Sequence, residues 1–143
     1  MRRFRYCLDP LFLACFGAYW LNRLVIKPHT HAVFPHAYWN DLICLPFWVP
    51  IMLGLQRAAR LRSHDAPPLP AEILIPLVLW SWAFEVWLPS SPLGQGWCTA
   101  DPRDVVCYSV GALAAGVFWQ WWYGVRAHEE AGTSAAVSPP LTP

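Results

Sequence analysis

The arginines of this sequence fall into groups, Arg2, Arg3 and Arg5, then Arg57, Arg60 and Arg62, then Arg126, and long apolar stretches separate one group from the next. That spacing constrains the fold more than any other feature. If two membrane crossings separate successive groups, all of them fall on one side of a bilayer, which the positive-inside rule makes cytoplasmic. Lys27 and Arg103 are the exceptions toward the other face. The predicted architecture is all-α, a four-helix transmembrane bundle in a cell membrane with both termini cytoplasmic, and the lipid bilayer is its first partner.

Composition permits little else. Hydrophobic residues make up 56% of the chain and charged residues 13%, against roughly a quarter charged in an ordinary soluble domain. A water-soluble fold of 143 residues with so few charges is unable to cover itself, and this length suits one domain. The net charge of +1 supplies no global field to gather nucleic acid, so no nucleic-acid partner is expected.

The first predicted span covers residues 10–26, with Asp9 as N-cap and Pro10 at the first helical position, where its missing N–H costs nothing. It is short for a membrane helix, so Asn22 and Arg23 are expected to snorkel or to face other helices. Three arginines before an apolar run resemble a signal peptide, but no small-x-small cleavage site follows and the span is read as uncleaved. The second span, 37–55, has Asn40 or Asp41 as expected caps, and Pro46 and Pro50 one turn apart predict a kink. A polar connection leads to the third, 71–88, which opens after Pro70, holds Glu85 inside its apolar run and ends at Pro89-Ser90-Ser91-Pro92.

The fourth span, 102–123, is the best delimited. Asp101-Pro102-Arg103-Asp104 joins an N-cap, a first-turn proline and an acid at the capping-box position, and Gly124 is the expected stop. Gly111 with Ala115, and Ala112 with Gly116, are small-xxx-small pairs that let another helix approach closely. Residues 1–131 thus form the membrane domain and 132–143 a disordered cytoplasmic tail rich in Ser, Thr, Ala and Pro. Trp20, Trp39, Trp87 and Trp97 fall near the outer boundary and Trp119, Trp121 and Trp122 near the inner one. Trp48, Trp80 and Trp82 lie deeper, as helix-packing residues.

On this topology the polar residues that are costly in lipid converge on the outer half: Asn22, Arg23, His36, Asn40, Asp41, Glu85, Asp101, Arg103 and Asp104. A carboxylate in an apolar span should face the other helices, and Arg103 or Arg23 is the expected partner of Glu85. The cluster then reads either as a lock between helices or as a polar pocket. His29, His31 and His36 with Asp41 have the donor types for zinc, but the spacing matches no metal signature, and neither metal nor cofactor is expected. The five cysteines include no C-x-x-C pair and are read as apolar fillers. Cys98 and Cys107 fall toward the outer face, where a disulfide would persist.

Glu85 followed by Asp101, Asp104, Tyr108 and Gly111 resembles VanZ-like proteins. In these small bacterial multi-pass membrane proteins an acid near one helix end precedes a D-x-x-D-x-x-x-N-x-x-G helix start. The likeness runs from Glu85 to Gly116. Tyr108 stands at the asparagine position, Leu88 where a glutamine usually follows the acid, and Cys98 where an arginine precedes the first aspartate, with Arg103 as the expected substitute. The resemblance implies a cell-envelope protein of the bacterial inner membrane, some members being linked to glycopeptide resistance.

The candidate ligand-binding set is Glu85, Asp101, Arg103, Asp104, Arg23, Asn40, Asp41 and Tyr108. No nucleophile elbow, phosphate loop or HExxH motif occurs, so no catalytic residue is assigned. The leading expectation is a non-enzymatic envelope protein whose outer polar pocket holds a lipid head group or another polar ligand. An accessory subunit of a larger membrane complex or homo-oligomer ranks next, packing through the small-residue face of the fourth span. A small proton-coupled transporter is third. An intramembrane enzyme with Glu85 as general base ranks last.

Overall fold

A computed structural model of the chain describes residues 3–94 and 99–136, with backbone alone for 125–136. Every regular element is helical, and no strand occurs among the described residues. A 3-10 turn, Tyr6–Leu8, leads into α1 (Pro10–Leu21), which continues through a π-helical stretch, Asn22–Ile26, into the short α2 (Lys27–His29). Then come α3 (Val33–Ala37) and α4 (Trp39–Ala58), followed by α5 (Pro70–Trp82), a second π-helical stretch, Ala83–Trp87, and α6 (Leu88–Ser90). The chain closes with α7 (Pro102–Ala136). Among the described residues three segments are long and apolar enough to cross a membrane, Val33–Ala58, Pro70–Ser90 and Pro102–Gly124. Their outward faces are apolar, with Val78 64% and Leu113 71% exposed, as a lipid-facing surface requires.

The helix ends follow local rules in some places and depart from them in others. Asp9 caps α1 as expected, its Oδ1 accepting from Leu11 N at 3.0 Å and Phe12 N at 3.1 Å. Neither Asn40 nor Asp41 caps α4. Tyr38 holds that position with no capping hydrogen bond from its side chain, because α3 feeds directly into α4: Tyr38 N donates to Phe34 O, and Leu42 N to Tyr38 O. The first-turn donors are already met, and both polar side chains are left free. At its other end α4 runs to Ala58 and stops at Arg60, whose φ of 60° is the left-handed cap conformation. Leu61 N and Arg62 N both donate to Gln56 O there.

Gly124 does not stop α7, which continues to Ala136. Glycine inside a helix costs about 1 kcal/mol but blocks nothing, and Val125 to Ala131 that follow are all compatible with helix. Residues 132–136 of the expected tail are therefore helical, and 137–143 lie outside the described residues.

The two π-helical stretches share a cause. Each ends two residues before a proline, Pro28 or Pro89. A proline ring clashes with the carbonyl four residues earlier, and widening the preceding turn takes that carbonyl out of the way. Lys27 N reaches back to Asn22 O and Leu88 N to Ala83 O, one residue further than in an α-helix. Pro89 consequently lies inside the last helical turn, and the rod ends at Ser90, within the Pro89-Ser90-Ser91-Pro92 stretch expected to stop it.

Packing places α4 at the centre, against α1, α5 and α7. Its tightest approach is to α7, where a Cβ on Gly111 would stand 1.9 Å from Leu42 O, so only glycine lets the two backbones come this close. Ala112 and Ala115 are buried beside it, and Gly116 faces Ile73 of α5. Leu45, Val49, Leu53, Tyr108 and Trp119 form the core along this seam, with Phe4 closing one end.

That end is basic. Arg62, 4% exposed, donates to both carboxylate oxygens of Glu72 at 2.7 and 3.1 Å, to Tyr6 Oη, and to the carbonyls of His64 and Ala66. Tyr6 in turn donates to Asp65 Oδ1 at 2.7 Å, and Arg57 pairs with the same carboxylate at 2.9 Å. The polar connection is thus organised around one buried, fully partnered guanidinium. Beside it Asp9, 0% exposed, accepts from Trp119 Nε1 at 3.0 Å and Tyr123 Oη at 2.7 Å, tying the start of α1 to α7. Phe4 N donates to Asp65 O and Gln120 Nε2 to Pro68 O. The start of α1, the end of α4, the start of α5 and the middle of α7 therefore share this arginine end, and the four helices alternate in direction.

Candidate functional site

At the opposite end the polar residues assemble around a cavity of about 710 Å³. Its polar lining is Asn40, Asp41, Glu85, Thr99, Asp104 and Tyr108. Aromatic side chains make up most of the remaining wall, Phe16, Tyr19 and Trp20 from α1, Phe47 and Trp48 from α4, and Trp80 with Phe84 from the α5 rod, beside Ala37, Ile43 and Cys44. Trp48 and Trp80 meet at 6.0 Å between ring centroids and 58° between planes, closing one corner.

Each acid reaches the cavity for a traceable reason. Asp41 lies in the first turn of α4, released from capping by the α3 lead-in. Glu85 occupies the π-helical stretch that Pro89 enforces, and widened turns of this kind recur at functional sites. Asp104 sits three residues into α7, where a capping box would turn its side chain back to Asp101 N–H. That donor is taken by Glu85 Oε2 at 2.6 Å. Tyr108, 5% exposed, comes one turn after Asp104 and is a hydrogen-bonding neighbour of Asp41. The close contact at Gly111 brings these α7 residues against α4.

Of the eight residues singled out in the sequence, the cavity gathers Asn40, Asp41, Glu85, Asp104 and Tyr108. Asp101, Arg103 and Arg23 do not line it. Asp101 is a helix cap, Oδ1 accepting from Arg103 N at 3.0 Å and Oδ2 from Tyr38 Oη at 3.3 Å. Arg103 is exposed and donates to Tyr38 Oη at 3.3 Å. Arg23 is also exposed. The expected Glu85 to arginine pair is not formed: no ion pair reaches Glu85 among the described residues. Glu85 instead holds the α7 N-terminus, whose positive end and backbone N–H satisfy a carboxylate without a cation.

Asn22 was expected at a helix interface, and it is wholly buried there. Its Nδ2 donates to Pro35 O at 2.9 Å and, more weakly, to Asn40 Oδ1 at 3.4 Å, while Oδ1 has no hydrogen-bond partner. It stands behind Asn40 in the cavity wall. The histidines make no metal set. His29 Nδ1 meets Val25 O at 2.7 Å and His36 Nε2 meets Thr30 O at 2.8 Å, and no group of three or more His, Cys, Asp or Glu able to hold a metal occurs among the described residues. Cys98, which a disulfide with Cys107 would require, lies outside the described residues.

The sequence reading passed over the aromatic wall and Tyr38. Phe16, Tyr19 and Trp20 recur three and four apart, a face signal that also describes ordinary lipid-facing residues. Trp82, read as a packing residue, is 53% exposed and stacks on Trp87 at 6.3 Å. The small residues of α7 face α4 and α5 within the chain. No protein-family model, curated protein or solved structure matches this chain.

Proposed function

We propose that this is a non-enzymatic, four-span cell-envelope membrane protein that binds a lipid head group or another polar amphiphile in the cavity between α1, α4, α5 and α7. One observation carries it: three half-buried carboxylates, Asp41, Glu85 and Asp104, line a cavity of about 710 Å³ at one end of apolar helices. Placing charge there is costly, and a lock between helices would not need a space of this size. By the positive-inside rule the arginine end faces the cytoplasm and the cavity the outer side. The resemblance of Glu85 to Gly116 to VanZ-like proteins supports the envelope setting.

Native mass spectrometry of protein extracted in mild detergent tests the reading. A co-purifying lipid or amphiphile is expected on the wild type and its loss on Ala37→Trp, which fills the exposed side of the lining. Equal occupancy in both proteins, or none in either, overturns it. In a cysteine-free background, an impermeant thiol reagent on intact cells should label a cysteine at Ala32 and spare one at Ala59; the reverse pattern sinks the orientation.

A further inference from the structure

The cavity's charged groups are all of one sign. Asp41, Glu85 and Asp104 are acceptors in the lining, with no ion pair to any of them among the described residues. Asp41 feels the charges of both Asp104 and Glu85, and Glu85 that of Asp104. Asn22, behind Asn40 and outside the lining, has an Oδ1 with no hydrogen-bond partner on a side chain 0% exposed. The neighbouring bases are engaged outside the lining. Lys27 Nζ donates to His36 O at 3.0 Å, close enough for Asp41 to feel its charge. Arg103 Nη1 lies on Tyr38 Oη and His36 Nε2 on Thr30 O.

Carboxylates sharing a poorly solvated cavity repel one another, and a positive group between them relieves the repulsion. The walls select which positive group. Aromatic ring faces carry negative potential and attract organic ammonium ions, and Trp20, Trp48, Trp80 and Tyr19 supply them here. A bare metal ion matches neither the aromatic wall nor a space of about 710 Å³, which is in the range of sites for organic ligands.

From these features we infer that the cavity takes an organic ammonium group, seated between the carboxylates and the aromatic wall. The inference rests on the ligand-cavity reading above and names the chemical class of its ligand. Two sources share that chemistry, the head group of a zwitterionic lipid and a free organic amine.

The experiment compares choline with 3,3-dimethyl-1-butanol, its uncharged isostere of nearly equal size, on wild-type protein in nanodiscs of phosphatidylglycerol alone. Binding is read from tryptophan fluorescence. Because both probes meet the same folded protein, the comparison does not depend on a variant folding. Choline is expected to bind roughly tenfold more tightly, the scale of a desolvated cation–π contact. Asp41→Asn with Asp104→Asn, checked for monodispersity, should abolish that preference. A second arm measures retention of phosphatidylethanolamine and phosphatidylcholine over phosphatidylglycerol by native mass spectrometry. Retention there with no choline binding assigns the ammonium to a lipid; choline binding without retention assigns it to a free amine; both outcomes support the inference. Equal affinity for the isostere, or preferential retention of phosphatidylglycerol, overturns the ammonium inference and leaves a ligand cavity in place. Binding of no probe and retention of no lipid overturns both.

Discussion

Glu85 Oε2 accepts the backbone N–H of Asp101 at 2.6 Å, across 16 positions of sequence, and so joins the end of the α5 rod to the start of α7. The acid that reads as the partner of an arginine is instead the anchor of a helix N-terminus. Glu85→Ala leaves that N–H unpaired and is expected to lower stability by about 1–3 kcal/mol. Glu85→Gln keeps an accepting oxygen and should lose less. Thermal unfolding in detergent ranks the two, and equal losses would show that the bond contributes nothing.

Gly111 and Gly124 make a contrasting pair on one helix. A Cβ at Gly111 would stand 1.9 Å from Leu42 O, whereas nothing lies within 4 Å of one at Gly124. Gly111→Ala must push α7 from α4, with an expected cost of about 1–3 kcal/mol and a weakened cavity. Gly124→Ala should be neutral or stabilising by up to about 1 kcal/mol. Unfolding midpoints in one detergent decide, and a harmless Gly111→Ala would refute the close approach.

Asp9 holds four donors at once, Leu11 N, Phe12 N, Trp119 Nε1 and Tyr123 Oη. Asp9→Ala removes the cap and strands two buried side-chain donors, so a loss of roughly 3 kcal/mol is expected. Asp9→Asn remains a good cap and sets its amide against one of the two donors, with a smaller loss. Tryptophan fluorescence should shift in both, since Trp119 is 0% exposed; an unchanged spectrum and midpoint would count against the lock.

The loop around Asp65 carries the clearest pH dependence. The hydrogen bond from Tyr6 holds the Asp65 carboxyl below its ordinary value of 3.8; burial opposes this, and Arg57, Arg3 and Arg62 add to the lowering. Tyr6 shifts the other way, raised by burial and by its bond to Asp65. Burial works against the Arg62 charge, but its bonds to Glu72 and Tyr6 outweigh that and raise it, so it stays protonated throughout. A carboxyl with a depressed folded pKa contributes stability that is present above its unfolded value and disappears as pH falls through the folded one. The Asp65 contribution should therefore be constant from neutral pH to just above 3.8 and then fall, so the melting difference between wild type and Asp65→Asn should shrink below that pH. An unaltered acid limb in that variant would dismiss Asp65 as its source.

Arg60 ends α4 in the left-handed conformation, φ 60°, which costs a side-chain-bearing residue roughly 1–2 kcal/mol. Arg60→Gly is expected to raise stability by up to about 1 kcal/mol, after the greater unfolded-state freedom of glycine is set against it. A lower melting point would mean that the Arg60 side chain has a stabilising contact.

The helices and their caps were legible because the forces that set them are local. Apolar runs of membrane length, Asp9-Pro10 and Asp101-Pro102 each act within a turn or two, and the structure starts α1 and α7 at those positions. The convergence of Asn40, Asp41, Glu85 and Asp104 also followed from depth along alternating helices. What tertiary structure alone decided is which partner each polar group takes. A carboxylate accepts an arginine or a helix N–H with similar ease, and only the position of Pro89, the widened turn before it and the seating of α7 at Gly111 chose the N–H for Glu85. Likewise Arg62 reads like its neighbours Arg57 and Arg60, and it is buried because the connection folds Glu72, Tyr6 and the carbonyls of His64 and Ala66 around that one guanidinium.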